Sequence, residues 1–238
     1  MTRWSMQDTR DLVDKCYGRH QLELVRPSLQ SLFERQLYAR YHFSEARSLL
    51  GGYVGKHLAD ASLIEVVFGQ SEDANYEFNL FLVHAGAHIT ACIQSLHATA
   101  DILAYAVYLA LGINLAGNPL RERSISIGSV RERLRSEQQY ATFSTLLTEY
   151  QTGGQFKHLA ALANRSKHRS VVRPSLNEDL TGTAPSRHTL RLASFWHDAE
   201  QYPEVAVESF LQAEYDRCSP LVVQAGNALN AFLSARAS

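Results

Sequence analysis

Apolar residues along this chain recur mostly at three- and four-residue spacing, the period of a helix with one buried face. Leu29, Leu32, Phe33, Leu37, Tyr41 and the run 46–50 keep that period, so a long helix is predicted over about 28–50. Pro27 sits where a first helical turn accepts it, and Gly51, Gly52 and Gly55 are expected to end the helix. Residues 1–18 hold a weaker pattern and are expected to form a short helix. The stretch 63–68, Leu-Ile-Glu-Val-Val-Phe, is short and β-branched, and its periodicity leaves strand and buried helical turn both open.

The strongest pattern follows. Ser71 can cap free N–H groups, and Glu72 and Asp73 suit the positive end of a helix dipole. From there Phe78, Ala85, Ile89, Ile93, Leu96, Ala100, Leu103 and Val107 form one stripe, and beyond Ile102 the sequence is apolar nearly all round. That predicts a central helix over 71–111, stopped by Gly112. Residues 120–135 form a charged connector with a helix start near Ser129, and 140–150 a second short helix. A further helix is expected over 156–170, then a polar loop from Pro174 to Ser186. Residues 188–196 alternate and are expected to pair with 205–210 as a hairpin, with Ser219-Pro220 opening a last helix. The fold class is therefore mainly α: one helical domain over 1–238, a bundle around one long central helix with a small β-hairpin at about 188–210.

Composition narrows this picture. A 45% hydrophobic content in 238 residues supports a substantial core, and a net charge of −1 excludes a protein that coats nucleic acid over its whole surface. Three cysteines far apart, with no C-x-x-C, argue against a disulfide framework or zinc ribbon and point to a reducing, cytoplasmic setting. No apolar run reaches the roughly 20 residues a membrane span needs. The start of the chain has no signal-like core, and no membrane partner is expected.

Chemistry concentrates in 156–170. Between Glu149 and Glu178 there is no acid, while Lys157, Arg165, Lys167, Arg169, Arg173, His158 and His168 all fall inside. On a helix Lys157, Ala161, Asn164, Arg165 and His168 share one face, with Phe156, Leu159, Ala160 and Ala163 as the apolar side. Lys167 continues the Ala160–Ala163 line, its stem packing while its amine reaches out. Asn164, Lys167 and Arg169 suit phosphate or carboxylate binding, and His168 suits proton transfer near neutral pH. The plainer reading is that these bases offset the dipole and satisfy the last carbonyls of the helix. On the central helix His97 and Asp101 stand four apart, with Thr90, Gln94 and Tyr108 on the same side. That strip faces either a ligand or a satisfied internal network. His84 and His88 have metal-ligand spacing but no H-E-x-x-H context, so no metal and no cofactor is expected. Gly51 to Lys56 lacks P-loop spacing, G-x-G-x-x-G and G-x-S-x-G are absent, and the Arg-Glu-Arg runs at 121–123 and 131–133 suit a solvated face.

The segment Leu-Ala-Asn-Arg-Ser-Lys-His-Arg-Ser-Val-Val at 162–172 resembles an uncharacterised bacterial group with an Asn-x-x-Lys-His-Arg segment. Gln-Ser-Leu-His-Ala-Thr-Ala-Asp-Ile-Leu at 94–103 resembles that group's long helix, and the group in turn is similar to HEPN-like helical proteins. The resemblance covers about 75–172 and part of the hairpin. It implies RNA or nucleotide binding, a metal-independent ribonuclease in a defence or toxin–antitoxin context, and a homodimer. Asn164 and His168 match the family's polar and His positions, and Ala163 stands where the family carries Arg. That departure weighs against catalysis. The resulting expectation is a phosphate-bearing ligand held by Arg165, Lys167, His168 and Arg169. Asn164 would orient it and His97–Asp101 would lie beneath or beside, with His168 and Arg165 the catalytic pair of an RNase. The alternative is a non-catalytic protein-interaction or structural module whose polar cluster is an internal hydrogen-bond network.

Overall fold

A computed structural model describes residues 3–68 and 72–238. Its helices are α1 (Met6–Tyr17), α2 (Arg19–His57), α3 (Leu63–Phe68), α4 (Glu72–Ala110), α5 (Ile127–Arg135), α6 (Ala141–Thr152), α7 (Phe156–His168) and α8 (Val207–Ala237). Five short strands intervene: β1 (Pro174–Glu178), β2 (His188–Leu192), β3 (Phe195–His197), β4 (Glu200–Tyr202) and β5 (Val205–Ala206). The fold is thus mainly helical, with small antiparallel sheets just before the last helix. Among the described residues no helix is long and apolar enough to cross a membrane.

The α4 stripe is buried from Ala85 to Val107, and the turns after Ile102 are buried on almost every side. Gly112 ends this helix in the left-handed region, with φ 68°, where a side chain would be strained. The expected cap at Ser71 lies outside the described residues; Glu72 and Asp73 do occupy the first turn.

Three boundaries differ from expectation. Helix α2 starts before Pro27 and runs through Gly51, Gly52 and Gly55. Pro27 and Glu23, whose carbonyl Pro27 cannot serve, are both exposed, so water can take that acceptor. Leu29, Leu32 and Ala46 are buried as expected, but Phe33, Leu37 and Tyr41 lie about half exposed. Second, residues 174–178 form a strand, with Leu176 opposite Leu190. Alternating burial of Pro174 and Leu176 sets it, inside a stretch whose polar composition suggested loop. Third, β2 pairs with β5 only at Arg191–Ala206 and Leu192–Val205, and 207 onward is helix. A separate hairpin joins β3 to β4 through Asp198 and Ala199, both at positive φ, the backbone of a tight two-residue turn. Pro220 consequently lies inside α8, with buried residues on both sides of it (Phe210, Leu211, Leu221, Val222) outweighing its cost.

The residues fall into two compact units. One takes the chain up to Leu37, then Leu96–Lys157 and Glu214–Ser238. Its core holds Val13, Leu29, Leu103, Phe143, Leu147 and Leu229. The ring of Trp4 occupies the space where a Cβ at Gly226 would lie. Arg217 donates to the carbonyls of Glu149 and Tyr150 at 3.1 Å, and Glu214 accepts from Gln155 N–H at 2.6 Å. This pair closes the turn between α6 and α7. The other unit takes Tyr38–Ser95 and His158–Ala213. It contains the strands, α3, the Tyr53–Phe81 stack at 4.4 Å and most of α7.

Candidate functional site

Helix α7 buries Leu159, Ala161, Leu162 and Ala163, and ends in exposed residues from Lys167 onward. Ala161 therefore belongs to the packed side, not to the polar face expected of it, and Ala160 is only half-buried. His158 sits inward as well. Its ring lies 5.1–5.5 Å from the rings of Phe195, Tyr202 and Phe210, and its Nε2 has no hydrogen-bond partner among the described residues. Burial pushes its pKa below the ordinary 6.5.

The basic end of α7 meets the β3–β4 hairpin. Arg165 donates from Nη1 to the carbonyl of Trp196 at 2.7 Å, and its guanidinium lies 5.8 Å from the centre of the Phe195 ring. Arg169 pairs with Asp198 at 3.2 Å. The helix end is closed by Arg169 N–H and Ser170 N–H, both donating to the Arg165 carbonyl. Lys167 leaves the helix about 200° around from Arg165, so it does not join this contact. His168 is exposed and Asn164 half-buried, four apart on one flank. No hydrogen bond or ion pair holds Asn164, Lys167 or His168 among the described residues. The expected cluster thus divides: Arg165 and Arg169 converge on the hairpin, Asn164 and His168 share a flank, and Lys167 points elsewhere.

Gln94 of α4 reaches this helix in the same unit. It donates to Ser166 Oγ at 3.1 Å, and Ser166 in turn donates to the carbonyl of Ala163 at 2.8 Å. His97 and Asp101 lie in the other unit. The His97 ring stacks on Phe156 at 6.0 Å. Asp101 accepts from Ile127 N–H at 2.9 Å, next to the Ser126–Ser129 capping box that opens α5. Tyr108 accepts from Leu120 N–H at 2.8 Å. These polar positions of α4 carry hydrogen bonds of the fold.

The histidines pair differently from their sequence spacing. His88 faces His42 of α2, with Nδ1 atoms 3.0 Å apart, while His84 is exposed. Among the described residues no group of three or more His, Cys, Asp or Glu can hold a metal. All three cysteines are free.

The hairpin was the part of this arrangement that sequence reasoning missed. Its signal is the alternation in Phe195-Trp196-His197, where Phe195 is buried and Trp196 is exposed, followed by Asp198 as a turn residue. Fold and site together define a helical protein in which a basic helix end supports a β-hairpin. Comparisons with protein-family models, curated proteins and solved structures find no match to this chain.

Proposed function

We propose that the chain is a non-catalytic interaction module in which the basic end of α7 is a structural latch. One observation carries this reading: Arg165 and Arg169 are both engaged by one hairpin, at Trp196 and Asp198. An arginine that stabilises a phosphoryl transition state must be aimed at the reacting group, and these two are aimed at the protein. Ala163, fully buried, has no functional group to offer in their place.

A second reading has its own support. Asn164 and His168, the pair that matches the HEPN-like pattern, have no hydrogen bond or ion pair among the described residues. They suit a phosphate of RNA or a nucleotide, and a metal-independent RNase, a homodimer and a bacterial defence role would follow from that resemblance. A cytoplasmic setting fits both readings, given three free cysteines.

RNA incubated with wild type and His168→Ala in the presence of EDTA separates the two. The latch reading expects no cleavage by wild type beyond that of the variant. It also expects Arg165→Ala to lose about 1–2 kcal/mol of stability, for a charge-assisted hydrogen bond plus ring contact. Arg169→Ala, an exposed pair, should lose about 0–1 kcal/mol. Chelator-resistant cleavage that disappears in His168→Ala overturns the latch reading and establishes the enzyme.

A further inference from the structure

An exposed apolar face lies elsewhere in the hairpin's unit. Helix α3 buries only Val66, leaving Ile64 at 60% and Phe68 at 84% exposure. The first turns of α4 point Tyr76, Leu80, Val83 and Ala87 outward. Those positions step by four, three and four residues, the spacing of a seam that packs against another helix. Tyr76 and Val83 are each about two-thirds exposed. Beside the seam a groove of about 350 Å³ is lined by Leu63, Ile64, Phe68, Phe78, Leu82 and Leu176. The groove is anchored where Glu178, at the end of β1, accepts from Leu63 N–H at 2.8 Å. Surface apolar residues occur singly on most proteins; a contiguous set at helical spacing marks a contact face.

Charge tells what would cover it. Residues 58–83 contain Asp60, Glu65, Glu72, Asp73 and Glu77, and not one Lys, Arg or His. Lys56 pairs with Glu77 at 3.1 Å, and the ring of His57 lies 3.3 Å from the same carboxylate. Asp60, Glu72 and Asp73 are exposed with no ion pair among the described residues, and Asp73 and Glu72 stand three and four residues before Tyr76. The face is therefore apolar in its centre and acidic along its α3 side and at the start of α4. A complementary surface carries apolar side chains at the same spacing, flanked by cations.

We propose that the α3–α4 face is the docking site for a basic amphipathic helix of a partner protein. The inference rests on the interaction-module reading and names its partner class. Seam residues 76–87 span about three helical turns, ~18 Å, which a peptide of roughly 16 residues covers.

The test uses a fluorescently labelled helical peptide of that length, with Leu on one face and Lys on the flanks, and a counterpart with Glu for every Lys. Fluorescence anisotropy should show micromolar binding of the Leu/Lys peptide, weakened by salt, and binding of the Leu/Glu peptide about tenfold weaker or less. Val83→Asp and, independently, Phe68→Ser should each weaken the Leu/Lys peptide by about tenfold. Both sites are exposed, so unchanged circular dichroism certifies the fold of either variant. The pair Glu72→Gln with Asp73→Asn should remove most of the salt dependence. Equal binding of the two peptides, or full binding by Val83→Asp and Phe68→Ser, overturns the proposal. So does sedimentation showing a dimer that Val83→Asp dissociates, because the face then belongs to a second copy of the chain. Failure here, with no RNA cleavage in EDTA, removes only this face; chelator-resistant cleavage removes the underlying reading whatever the peptides do.

Discussion

At the scale of single residues, His158 has the least ordinary surroundings in the hairpin's unit. It is 7% exposed, packed among Phe195, Tyr202 and Phe210, with Nε2 unpartnered among the described residues. A buried imidazole of this kind is stable neutral and costly charged. Above pH 6.5 it is neutral in both folded and unfolded chains and does not alter stability. Below that, the unfolded chain takes up a proton that the folded chain resists, so stability falls as pH drops through 6.5 toward the lowered folded pKa. His42 acts in the same direction, lowered by burial and then by the charge of His88, with Glu45 opposing. His158→Phe keeps a ring in the cage and removes the titration. Urea midpoints between pH 7.5 and 5 should therefore fall less steeply in the variant, with the remaining slope owed partly to His42. An unchanged slope would mean that His158 takes up its proton without resistance.

At the scale of elements, the same physics decides what the sequence could and could not tell. The α4 stripe from Ala85 to Val107 was legible because burial there is set by one long helix with a fixed period. The α7 helix was legible for the same reason. The ends of α2 were not, because glycine and proline change local preference by about 1–3 kcal/mol and tertiary packing can override that. Here Tyr53, buried between the glycines, and Leu58, buried just past the helix end, hold the helix in place. Strand β1 escaped because five residues with two buried side chains carry too short an alternation against a polar background. The cluster at 164–169 was visible as a composition, yet its division was not. Which base meets which acceptor depends on a hairpin 30 residues further on, at Trp196 and Asp198. The α2 glycines offer a direct check. Gly51 and Gly52 are exposed, helical, and have nothing within 4 Å of where a Cβ would lie. Each change to Ala should raise stability by about 0.5–1 kcal/mol, read by thermal or urea unfolding. A loss on either substitution would show that the chain leaves the helix there.

At the scale of the whole molecule, the chain passes between its two compact units at 37–38, 95–96, 157–158 and 213–214. Each passage lies inside a continuous helix: α2, α4, α7 and α8 respectively. Ordinary domain boundaries fall in exposed, irregular linkers, which is where proteases nick a folded protein. This chain has no such linker at its boundaries, so cleavage should avoid them. Arg121 stands just before, and Arg123 within, one exposed 3-10 turn (Glu122–Ser124), and Arg187 closes the loop that begins after β1. Arg40, Lys157 and Arg217, basic residues close to three of the passages, lie in helices. A backbone must leave its helix to fit a protease, so cutting at those three follows the population of opened helix rather than surface exposure. Brief trypsin treatment under native conditions should therefore give first fragments ending at Arg121, Arg123 or Arg187, identified by intact mass. First cuts after Arg40, Lys157 or Arg217 would mean that the helices open at the passages.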